Sequence, residues 1–112
     1  MTTLQPFAIE QKLIEAFLDP NSVGSRAIAV HSRELTDAGL YTSFSVEAEL
    51  RQFRAAELPQ GPMRGPAIAS PQIPDGAGAL LWPDASGVHM LEIYTYNDPF
   101  PGVLEEFSLQ HV

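Results

Sequence analysis

Five prolines stand at positions 59, 62, 66, 71 and 74 of a 112-residue chain, and they divide it into parts with different options. Proline lacks the N–H that a helix or a central strand needs, so a regular helix is excluded there. Any strand inside the segment, with Ala67 to Ser70 as the candidate, is expected at a sheet edge. Core-forming residues lie on both sides, so the segment reads as a stiff surface loop within one domain rather than a linker. The length agrees, because two domains of half this size would each struggle to bury a core.

On the amino-terminal side, Phe7, Ile9, Leu13, Ile14, Phe17 and Leu18 recur at helical spacing, with Glu10, Gln11, Lys12 and Glu15 mostly opposite. The spacing predicts one amphipathic helix over Pro6 to Leu18. Pro6 suits the first helical position and Asp19-Pro20-Asn21 supplies the stop. Arg26 to Ser32 then reads as a strand with Ile28 and Val30 on one face and Ala27, Ala29 and His31 on the other. Leu40 to Val46 reads as its hairpin partner across the turn Thr36-Asp37-Ala38-Gly39, with Leu40, Thr42, Phe44 and Val46 opposing Tyr41, Ser43 and Ser45. Glu47 to Leu58 has helical residue types but also allows the second strand to continue; we read it as helix.

Beyond the prolines the pattern is β. Gly78 to Trp82 is a short apolar strand, Pro83 to Gly87 a turn, Val88 to Tyr96 a long strand, and Glu106 to Val112 a final one. One helix followed by about five short strands predicts an α+β domain with the helix packed on an antiparallel sheet.

Gly76 to Trp82, the turn ending at Gly87, and Leu91-Glu92-Ile93-Tyr94-Thr95-Tyr96-Asn97-Asp98 with Pro99 and Pro101 together resemble the carboxyl-terminal hairpin of small uncharacterised bacterial proteins. Leu35 to Thr42 is similar to a bulged turn and strand in such proteins. The resemblance covers about half the chain. It implies an antiparallel α+β fold and brings no catalytic residue with it.

Charge and composition exclude more than they assign. The formal net charge is −8, and all six basic residues lie at or before position 64, leaving −2 there and −6 from Gly65 onward. Polyanions are held by Lys and Arg, so neither nucleic acid nor an anionic membrane is an expected partner, whereas a basic protein is. The absence of cysteine removes disulfides, thiolate metal sites and thiol nucleophiles. The sequence begins without a charged and apolar leader and contains no long apolar run, so a cytoplasmic protein is expected.

Candidate chemistry converges on Glu92. Alternation places it among Val88, Met90, Tyr94 and Tyr96, a carboxylate in an apolar and aromatic row that needs a partner if that face is covered. Arg26 or Arg33 are the candidates to pair with it. Tyr94, Tyr96 and Phe100, with Trp82 on the neighbouring strand, could line a pocket or interface, or else close the core. The opposite face, His89, Leu91, Ile93 and Thr95, is equally apolar, which suggests cover on both sides and hence a homodimer.

His31, His89 and His111 have no metal-ligand spacing and read as structural or surface residues, so no metal or cofactor is expected. No serine sits in a nucleophile elbow, and Gly76-Ala77-Gly78 runs into a strand rather than a helix, which argues against a phosphate loop. The leading expectation is therefore a non-enzymatic protein-interaction or self-associating domain. The alternative is a small-molecule binder or enzyme with Glu92 at the floor of a cleft.

Overall fold

The computed structural model of the chain describes residues 4–17, 28–46, 62–84 and 86–110. Among the described residues are one helix, α1 (Ala8–Phe17), and seven strands: β1 (Ile28–Thr36), β2 (Gly39–Val46), β3 (Met63–Arg64), β4 (Ala67–Ser70), β5 (Ile73–Trp82), β6 (His89–Thr95) and β7 (Ser108–Gln110). The strands form one antiparallel sheet in the order β1-β2-β6-β5-β4-β7, with β3 pairing on β5. This is the expected α+β architecture with more strands than the expected five, because the proline-rich segment contributes β3 and β4. The reading of Glu47 to Leu58, together with Arg26, the stop at Asp19-Pro20-Asn21 and His111, lies outside the described residues.

The prolines act differently from the expectation. β4 is paired on both sides, with β5 and with β7, and is no edge strand. Pro66 and Pro71 flank it without interrupting it, so each of its N–H groups remains available to the ladder. Pro74 lies inside β5, exposed, where the β4–β5 register shifts between Ile68 and Ser70 and no ladder bond is required of it.

The core lies between α1 and one face of the sheet. Ile9, Leu13, Ile14 and Phe17 pack with Leu40, Phe44, Ile68, Ile73, Ala77, Ala79, Leu81, Leu91 and Ile93 in one cluster. Fully burying an aliphatic side chain of this size contributes roughly 1.5–3 kcal/mol, so the helix is held by its apolar stripe rather than by its ten-residue length. The even positions of β2 and the odd positions of β6 face this core, as alternation predicts. Phe100, expected as an aromatic site residue or a core plug, is the latter at 7% exposure.

Two charged residues, neither placed there by regular periodicity, together form the polar centre of the core. Glu10, assigned to the outer side of the helix, is 0% exposed. Arg33 should face away from the core if β1 alternated regularly from Val30. A register shift between Val30 and Ser32 inserts one residue, reverses the phase and sets Arg33 opposite Thr42 on the helix side. There Arg33 closes a two-pronged ion pair on Glu10, with Nε and a terminal nitrogen each 2.7 Å from a carboxylate oxygen. Thr42 donates its hydroxyl to Glu10 Oε2 at 2.5 Å, and the Phe7 amide donates to Oε1 at 2.7 Å.

The amide bond also explains where the helix starts. Phe7 accepts the first helical bond from the Gln11 amide, which makes it the cap residue and Glu10 the third helical position. A glutamate there reaches back to the cap's own N–H. Pro6 consequently precedes the cap and is not the first helical residue.

Candidate functional site

The sheet has a second face, and its residues follow from the same registers. Tyr41 of β2 lies beside Glu92 of β6, which lies beside Leu80 of β5; Ser43, Met90 and Trp82 form the adjacent row; and Tyr94 sits beside Gly78. Among the described residues no helix packs on this face. Trp82 is 42% exposed and Met90 40%.

Glu92 is half-buried in the middle of this surface, and its carboxylate is held from both sides. The Trp82 indole N–H donates to Oε1 at 3.1 Å and the Tyr41 hydroxyl donates to Oε2 at 3.4 Å. Neither bond was legible from spacing along one strand, since both cross from a neighbouring strand. The expected pairing of Arg33 with Glu92 is not made, because the bulge in β1 turns Arg33 to the opposite face, onto Glu10.

Negative charge on Glu92, with a smaller effect from burial, pushes the Tyr41 phenol above its ordinary pKa, since ionising it would set two anions side by side. Tyrosinate absorbance read in a Tyr94→Phe/Tyr96→Phe background should therefore give a high midpoint for Tyr41. Glu92→Gln should bring it down towards the ordinary value; an unchanged midpoint would separate the two groups.

Tyr94 and Tyr96 continue the surface. A Cβ on Gly78 would lie 2.4 Å from the Tyr94 hydroxyl oxygen, so the Tyr94 side chain lies directly against that glycine, and the Tyr96 ring approaches Gly76 in the same way at 3.6 Å. The two rings meet edge-on at 5.8 Å. Gly76 and Gly78 thus serve as the bare backbone on which two tyrosines lie. Past Tyr96, which is 56% exposed, the surface falls into an open groove of about 780 Å³ between β4, β5 and β7. Glu92 is not among the residues lining it.

The two histidines among the described residues, His31 and His89, each have a partner within the fold. His31 Nε2 lies 2.9 Å from the Ser45 hydroxyl across the β1–β2 pair. His89 is buried on the core face, where Nδ1 accepts the Asp84 amide at 2.9 Å and the ring packs against Phe44. Burial lowers its pKa, which favours the neutral ring that this acceptor role requires. Among the described residues no three metal-ligating side chains converge, and no helix is long and apolar enough to cross a membrane.

Comparison with protein-family models, with curated proteins and with solved structures returns no match.

Proposed function

We propose that the chain is a non-enzymatic protein-interaction domain, docking a partner with a basic surface on the face of the sheet away from α1. One arrangement carries this reading: Trp82 and Tyr41 both give their polar hydrogens to Glu92. Their polar tips are thereby occupied within the face, and what remains towards solvent is ring surface, with Met90 and Leu80 beside it. Buried aromatic anchors around a polar centre are typical of residues that dominate binding energy.

Charge favours a basic occupant. No basic residue follows Arg64, and the formal charge of −8 would steer a cationic partner inwards while repelling a second copy. Self-association would also set two Glu92 carboxylates close together at the centre of the contact. A cleft enzyme built on Glu92 has less support, since that carboxylate lies on an open face and already receives two donors.

The test uses the wild-type chain and a Trp82→Ala/Met90→Ala variant as bait in host extract. The expected result is a basic protein retained by the wild type, released by salt and absent from the variant, followed by a 1:1 complex of purified components that changes Trp82 fluorescence. A light-scattering mass of two chains that falls to one in the variant would replace the basic partner with a second copy. A monomer that retains no protein at low salt would overturn the reading.

A further inference from the structure

The groove beyond Tyr96 adds a site of definite chemistry to that face. Its floor is shallow because β4 presents Ala67 and Ala69 there, the small outward residues that alternate with buried Ile68 and Ser70. One wall is Tyr96. The rim carries the carboxylate residues Asp75 and Glu106.

Both acidic residues are positioned from outside the groove. Asp75 receives the Asn97 side-chain amide on Oδ2 at 2.8 Å and donates its own backbone N–H to Asp98 at 2.9 Å. Its Oδ1 takes no hydrogen bond among the described residues. Gln72, in the β4–β5 turn, accepts the backbone amides of Glu105 and Glu106 at 2.7 and 3.3 Å and donates to the Val103 carbonyl at 3.2 Å. This side chain fastens the 103–106 segment against the sheet and so sets Glu106 at the groove. Among the described residues neither carboxylate has a basic partner; the ion pair is Arg33 with Glu10, on the other face.

The geometry points to a binding site for an arginine side chain of a partner protein, its guanidinium stacked on Tyr96 and hydrogen-bonded to Asp75 and Glu106. The inference rests on the protein-docking reading and names the chemistry of one anchor. An aromatic face beside two carboxylates suits a guanidinium in particular: the planar cation stacks on a ring through its face while its edge offers several N–H donors to carboxylate oxygens. A metal ion would need more oxygen ligands than two rim carboxylates supply. An uncharged apolar ligand would leave both acids desolvated without a partner. The groove also continues the surface of Trp82, Glu92 and Tyr94 through the Tyr94–Tyr96 contact, so one partner can span both.

The full chain, labelled for amide NMR, would be titrated with a capped Gly-Arg-Gly-Arg-Gly peptide and with the same peptide carrying citrulline, which keeps the shape and removes the charge. Shifts should gather at Ala67, Ala69, Gly76, Tyr96 and Ser108. Citrulline, Tyr96→Leu and Asp75→Asn/Glu106→Gln should each weaken binding by about tenfold, equivalent to about 1.4 kcal/mol. All the substituted side chains lie at the surface of the groove, and a dispersed spectrum checks that each variant is folded. Affinity unaffected by citrulline or by these substitutions would overturn the site. So would shifts centred on Met90 and Glu92, while leaving the docking face in place. Peptide shifts at the groove in a chain that retains no protein partner would keep the guanidinium site and remove the protein-docking reading.

Discussion

Arg33→Ala is expected to destabilise the fold by about 3–5 kcal/mol, the range for breaking a buried ion pair from one side. Glu10 is fully buried and takes four hydrogen bonds, two from Arg33, one from Thr42 and one from the Phe7 amide. Removing the guanidinium strands a carboxylate where water does not reach. Arg33 also donates to the Gln5 carbonyl and lies 3.7 Å over the Phe7 ring, so the approach to the helix loosens at the same time. Glu10→Ala should cost somewhat less, because the Arg33 side chain is 15% exposed and can recover some hydration.

The combined Glu10→Leu/Arg33→Met/Thr42→Val variant should cost clearly less than either single change, since no charge or hydroxyl then remains unpaired. Urea unfolding midpoints across this set provide the measurement. A cost below about 1 kcal/mol for Arg33→Ala would put the pair in the range of a solvated surface ion pair. The functional consequence would also be specific: this network sits on the opposite face from Trp82 and Glu92, so a mild variant that still folds should retain partner binding.

The same residues show where a sequence reading stops. The faces of β2 and β6 were legible because burial alternates from Leu40 to Ser45 and from His89 to Tyr94, and Leu40, Thr42 and Phe44 against Tyr41 and Ser43 fall where the period of two puts them. Arg33 was not legible, because one inserted residue after Val30 inverts every position that follows and no composition signal marks it. Glu10 is not legible because a charged side chain ordinarily signals exposure. Its offset of three from the residue that caps the helix was the available clue, and that clue depends on recognising Phe7 as a cap without a hydroxyl or carboxylate side chain. Of the site residues, the row containing Glu92, Tyr94 and Tyr96 follows from alternation. Its bonds to Trp82 and Tyr41 depend on cross-strand register, which only the assembled sheet defines. The groove lay further out of reach, since it joins Asp75 and Glu106 across a segment fastened by the single side chain of Gln72.

Gly39 carries the second large effect. Its position beside Asp37-Ala38 suggests a turn glycine, yet it begins β2, buried, and shows no positive φ. What it requires is space. A Cβ built there would lie 1.9 Å from the Ile93 carbonyl oxygen, 3.0 Å from the Ile93 carbonyl carbon and 3.1 Å from the Tyr94 Cα, all backbone atoms of β6. Sliding the hairpin away is opposed by its turn, because Thr95 donates its amide and its hydroxyl to the Ala38 carbonyl and the Phe100 amide donates to the Asp37 carbonyl. Gly39→Ala must therefore part β2 from β6 at this end, at a cost of about 3 kcal/mol, the upper end of ordinary overpacking. Gly87→Ala is the control: φ is +90° but nothing lies within 4 Å of the added carbon, so only backbone strain of about 1 kcal/mol is expected. Equal losses in thermal or urea unfolding would remove the steric argument. Because Tyr41 and Glu92 face each other across the same strand pair, Gly39→Ala should also draw the high Tyr41 midpoint down, linking the close approach of two backbones to the geometry of the docking face.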